Sequence, residues 1–151
     1  MSWIEIVDSA VKIGLGAFIS ALASYLILNK NHKHEIEMAL REIKNNNTEE
    51  RKSYFSQFLT HSLMLTQKYR DVSCNAQGED YIDYLNIYNH LQIISNDNIR
   101  LGAFNLFNAV NQFIVISKNQ QDRQLLRDMR SRIDANTGEF QYIAREDVKG
   151  A

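Results

Sequence analysis

IGLGAFISALASYLIL, residues Ile13 to Leu28, contains no charge, no Asn, no Gln and no Pro. Everything after it is polar and helically periodic. As a helix, these 16 residues rise about 24 Å, against a bilayer hydrocarbon core roughly 30 Å thick. Val11 lengthens the run, and Lys12 can carry its amine outward along its own stem. Upstream, Trp3, Ile4, Ile6 and Val7 interleave with Glu5 and Asp8, which puts the helix start in the headgroup zone with Trp3 as anchor. A core helix of a soluble protein is usually amphipathic, whereas this run is apolar all round. A cleaved signal peptide starts with basic residues, but residues 1 to 11 carry Glu5 and Asp8 and no Lys or Arg. Ala21-Leu22-Ala23 has the small-residue form of a cleavage site, yet the apolar run continues through it. The reading is a transmembrane helix with a short N-terminal tail over residues 1–28.

Basic flanks set the orientation. Only Lys12 precedes the run, while Lys30, Lys33, Arg41, Lys44, Arg51 and Lys52 follow it. The expected location is a bacterial inner (plasma) membrane, N-terminus outside and C-terminal domain in the cytoplasm. The single cysteine, Cys74, agrees with a reducing compartment. A formal net charge of −1 removes any global electrostatic case for nucleic acid. Seven Tyr, seven Phe and one Trp argue against disorder. The absence of Pro permits long unbroken helices.

Residues 29–47 read as a charged helical stalk and hinge. Ile36, Leu40 and Ile43 recur at helical spacing and form a narrow stripe suited to a sister chain. His32 and His34 are two apart, point to different sides of a helix, and read as a polar collar, not a metal pair. Asn45-Asn46-Asn47 is the first punctuation, with Thr48 as an N-cap before Glu49 and Glu50.

A four-helix antiparallel bundle is expected over residues 48–134, making the chain all-α. Its first helix, from about Glu49 to Asp71, faces inward with Phe55, Phe58, Leu59, Ser62, Leu65, Thr66 and Tyr69. Residues 72–78 form a loop by composition. The second helix, about Glu79 to Ile94, presents Tyr81, Tyr84, Leu85, Tyr88 and Leu91. Tyrosines at such spacing suit base stacking, but no basic residue lies between Glu79 and Asn98 to neutralise phosphate, so core packing is the reading. Ser95 fits the N-cap of a third helix, with Ile94 and Ile99 as a hydrophobic staple and Ile99, Ala103, Leu106, Val110, Phe113 and Ile114 as its core stripe. Leu101 to Ser117 is uncharged, yet Asn105, Asn108, Asn111 and Gln112 weigh against a second span because each amide in lipid needs a partner. The fourth helix, about Gln120 to Ile133, buries Leu125, Leu126, Met129 and Ile133. Its Arg123, Arg127, Arg130 and Arg132 alternate with Asp122, Asp128 and Asp134, the pattern of a solvated face. Headgroup or phosphate binding would need about four to eight uncompensated basic residues. Gly138 reads as a stop, and residues 135–151 as a loosely attached tail with one docking cluster, Phe140, Tyr142 and Ile143.

Three segments, TEERKSYFSQFL at Thr48 to Leu59, IISNDNIR at Ile93 to Arg100 and LLRDMRSRI at Leu125 to Ile133, give the chain a layout. It resembles a broad group of bacterial and phage single-span membrane proteins with a small cytoplasmic helical domain. That group has no assigned activity, so the resemblance implies an architecture and no catalytic residues.

Chemical motifs are absent from the sequence. There is no glycine-rich phosphate loop, no HExxH, no Glu-x-x-His pair and no paired cysteines. No cofactor, metal or catalytic set is expected, and the chain does not read as an enzyme. The candidate site is instead a helix–helix interface within the membrane. Ala10, Gly14, Ala17, Ala21 and Ser24 share one side of a helix, with Gly16, Ser20 and Ser24 in a row beside it. In lipid, small residues let backbones approach and dispersion drives association. The expected partners are the lipid bilayer and further copies of the chain, with another membrane or cytoplasmic protein as the alternative, and no nucleic acid. Two functions are consistent with this: a membrane-anchored interaction or scaffold module, or a membrane-perturbing effector whose spans assemble, for example in phage–host conflict. The first is favoured because the run's only polar groups are Ser20, Ser24 and Tyr25.

Overall fold

The computed structural model describes the backbone of residues 3–119 and 121–150 and the side chains of residues 20–119 and 121–150. The described residues form four α-helices and no strand: α1 Trp3–Lys68, α2 Glu79–Ile94, α3 Asp97–Val115 and α4 Arg123–Gly150. The chain divides into two compact units, Met1–Asn45 and Asn46–Ala151.

In the first unit the described side chains are exposed, including the stripe of Ile36, Leu40 and Ile43. No helix among the described residues is long and apolar enough to cross a membrane. Ile13 to Ile19, the first part of the apolar run, lies outside the residues whose side chains are described, as do Ala10, Gly14 and Ala17.

The second unit is built on aromatic packing. Phe58 of α1 stacks on Tyr84 of α2 at 5.4 Å between centroids and meets Phe140 of α4 edge-on at 5.2 Å. Such ring pairs add about 0.5–1.5 kcal/mol beyond their burial. Helix α3 packs against both α2 and α4. Its stripe of Ile99, Ala103, Leu106, Val110, Phe113 and Ile114 is buried, as the spacing predicts. Leu91 is buried too, whereas Leu59 and Leu85, expected in the core, are half-buried.

Three expectations need correction. The asparagines at 45–47 and Thr48 do not interrupt the helix, which runs through them. Asn and Thr cost at most about 0.7 kcal/mol each in a helix interior, and without Gly or Pro nothing forces a stop. The N-cap of α3 is Asn96, one residue beyond Ser95: the Asn96 side-chain oxygen accepts from Ile99 N–H at 3.0 Å. Ser95 instead closes α2, its backbone N–H donating to Leu91 C=O at 3.2 Å.

The fourth helix does not end near Gly138; it continues to Gly150. Residues 135–150 are no loose tail, since Ile133, Thr137, Phe140 and Ala144 are buried at helical spacing. Burying Phe140 outweighs the roughly 1 kcal/mol that a mid-helix glycine costs. Polar bonds fix the helix end as well. Asp147 pairs with Arg51 of α1 at 3.1 Å and accepts from the Asn96 side-chain amide at 2.5 Å. Of the expected docking cluster, Phe140 is in the core, Ile143 packs against it, and Tyr142 is exposed.

Candidate functional site

The C-terminus of α3 ends in carbonyls that a regular helix leaves unpaired. Segments distant in sequence satisfy them. Cys74 N–H donates to Ile114 C=O at 2.7 Å, and the Ser73 hydroxyl donates to Ile116 C=O at 3.0 Å. The Lys118 ammonium turns back to donate to Phe113 C=O and Ile116 C=O, and lies 4.5 Å from the centre of the Phe113 ring. Burial draws the Lys118 pKa below its ordinary value. These bonds hold the α1–α2 connection and the start of the α3–α4 connection around the end of α3.

The 69–78 connection is fixed at its other side by Asp80. Its carboxylate accepts from Lys68 at 2.7 Å and from the Tyr69 hydroxyl at 2.8 Å. The Lys68 bond, with help from Tyr69 and the Tyr81 N–H, holds the Asp80 carboxyl below the usual carboxylate range. The phenol's own bond to Asp80, reinforced by burial, pushes the Tyr69 pKa up to about 12. Burial raises the Cys74 thiol, the opposite of what a reactive cysteine requires.

Beside the end of α3 lies a cavity of about 870 Å³. Arg70 and Asp71 reach it from just beyond α1, Lys118 from the α3–α4 connection, and Arg123, Arg127, Arg130 and Asp134 from one side of α4. Phe113 and Leu126 supply its apolar lining. Among the described residues, Arg70, Arg123, Arg127 and Arg130 have no ion-pair partner, whereas Arg51 pairs with Asp147 and Arg100 with Asp97. Two neighbouring acids lie outside the lining and keep their charge: Asp122 accepts from Gln124 N–H at 3.0 Å and Asp128 from the Gln124 side-chain amide at 2.8 Å. The arrangement is therefore a concave surface with surplus positive charge and arginine forks free to meet an anion.

The alternating charges on the fourth helix thus resolve into two groups. Arg123, Arg127 and Arg130 share the cavity, and Arg132 instead lines a smaller one with Asn105, Asn108, Gln112 and Asn136. Sequence reasoning missed Arg70 and Lys118, because only the packing of α1 and α3 brings them beside α4. Of the expected membrane interface, Ala21 and Ser24 are exposed, while Ala10, Gly14 and Ala17 lie outside the described side chains. Among the described residues, no three His, Cys, Asp or Glu side chains gather in a metal-binding arrangement.

No protein-family model matches the chain, and neither a curated protein nor a solved structure does.

Proposed function

We propose that the protein is a membrane-anchored helical interaction module. In this reading the run from Ile13 to Leu28 lies in a bacterial inner membrane, and the second unit faces the cytoplasm and binds further copies of the chain or a partner protein. One observation carries the reading. In the described part of the run, Leu22, Tyr25, Leu26, Ile27 and Leu28 are 45–66% exposed, with no protein covering them. Monomeric soluble proteins rarely leave contiguous large apolar side chains open to water. A bilayer covers such a helix on every side, as an apolar surface all round requires. The scarcity of polar groups in the run favours an anchor over a membrane-perturbing assembly.

Association in the membrane is assigned to the small-residue side, Ala10, Gly14, Ala17, Ala21 and Ser24, and the exposed stripe of Ile36, Leu40 and Ile43, about a quarter turn further round the helix, offers a separate apolar row beyond it. The test is the full chain expressed in a bacterium. Alkaline carbonate should leave it in the membrane pellet, and a reporter fused after Ala151 should be active on the cytoplasmic side. Release by carbonate would overturn the anchor, and a reporter active only outside would overturn the orientation. Replacing Gly14 and Ala17 together with Leu should weaken crosslinked oligomers. Unchanged crosslinking would remove the small-residue side from the interface.

A further inference from the structure

We propose that the cavity between the end of α1 and α4 binds a phosphate group of two or more negative charges, carried by a small molecule as a phosphomonoester or diphosphate. This does not depend on the apolar run entering a bilayer. Four guanidinium groups, Arg70, Arg123, Arg127 and Arg130, line the one cavity, and none has an ion-pair partner among the described residues. Asp71 and Asp134 offset part of that charge. Four arginines against two aspartates leave a surplus of two positive charges even with Lys118 turned to the α3 carbonyls; that is fewer than the roughly four to eight basic residues an open polybasic patch needs, and the concave lining compensates by directing them at one anion.

A solvated face of alternating charges would scatter its arginines. Here Arg70 arrives from a segment more than fifty residues upstream of Arg123 and joins the same concavity. Holding like charges together is unfavourable until an anion neutralises them. The planar five-donor guanidinium matches phosphate oxygens in pairs, which a point charge does not. The volume of about 870 Å³ falls within the roughly 300–1,000 Å³ of small-molecule sites. Nucleic acid fits poorly, because the basic groups sit in a hollow and do not track along a stripe. The phosphate has two chemically equivalent sources, a soluble metabolite or a phospholipid headgroup.

The test is calorimetric titration of the full chain in dodecyl maltoside micelles with two probes, inorganic pyrophosphate and dihexanoyl phosphatidic acid. Each is repeated on Arg127→Gln/Arg130→Gln, on Arg70→Gln, and on Arg145→Gln as a control outside the cavity. Binding of pyrophosphate that weakens at least about tenfold in the double variant and in Arg70→Gln, but not in Arg145→Gln, supports the site with a soluble ligand. The same pattern seen only with phosphatidic acid supports it with a headgroup. Binding of neither probe, or equal binding by all variants, overturns the proposal. All four arginines are exposed, so the variants should keep the wild-type helical signal and melting curve. Arg70→Gln, on a separate segment, keeps the test decisive if the double variant misfolds.

Discussion

Tyr84 gives its phenolic proton to Ser62 at the fully buried centre of the second unit. The two oxygens are 2.9 Å apart, and the Ser62 proton is already committed to Phe58 C=O at 2.8 Å. The two ends of this bond are therefore unequal. Tyr84→Phe leaves Ser62 still bonded to Phe58 and should cost about 1 kcal/mol. Ser62→Ala strands a buried phenol and should cost more, about 1–3 kcal/mol. The double variant should be more stable than Ser62→Ala alone. Urea unfolding of the three variants measures this, and a double variant less stable than Ser62→Ala would show the bond is not organised this way.

The C-terminal half of α4 is predicted to be indispensable. Phe140 is fully buried against Phe55 and Phe58. Phe140→Ala should destabilise by about 3–5 kcal/mol, comparable with Leu106→Ala at about 2–5 kcal/mol. A chain ending at Gly138 should lose cooperative thermal unfolding. Retention of a sharp transition in that truncation would restore the view of residues 135–151 as a loose tail.

Helices α3 and α4 approach each other closely at Gly102. A Cβ there would collide with the tip of the Ile143 side chain and lie 3.4 Å from Phe140. Ile143 is only half-buried, and its terminal methyl can rotate away. Ala also gains about 0.8–1.0 kcal/mol of helix propensity over Gly. Gly102→Ala should thus fall within about 1 kcal/mol of wild type, whereas Gly102→Leu should cost about 1–3 kcal/mol by overpacking. A Gly102→Leu variant melting at the wild-type temperature would contradict the contact.

Acid sensitivity should trace to Asp80. Its folded pKa lies below the ordinary carboxylate value because Lys68, Tyr69 and the Tyr81 N–H bond its charged form. Between the two values the unfolded chain binds the additional proton, so stability falls as pH falls. The contribution is complete above the unfolded value of about 3.9, and is lost as pH drops through the folded one. Asp80→Asn should flatten the stability profile below about pH 4. An identical profile for wild type and variant between pH 5 and 2 would assign the acid limb to other carboxylates.

The helical periods, the core stripe of α3 and the turn at residues 72–78 were legible in the sequence, because each is a local pattern of apolar spacing or turn residues. The continuation of α4 was less so. Thr137 and Ala144 occupy its buried positions without being strongly apolar, and Gly138 mimics a stop. The asparagines at 45–47 misled for a related reason: local propensities are worth fractions of a kcal/mol, and a flanking helix overrides them.

By itself the sequence determined that the chain is helical, that Ile13 to Leu28 is uncharged, and which face of α3 is buried. These follow from covalent order and side-chain polarity, which need no partner to be read. Tertiary structure alone decided that Tyr84 bonds Ser62, that Asp147 holds the end of α4 to Arg51 and Asn96, and that Arg70 joins Arg123, Arg127 and Arg130 around one cavity. Each of these joins residues more than twenty positions apart, and only the packing of whole helices sets the distance between them.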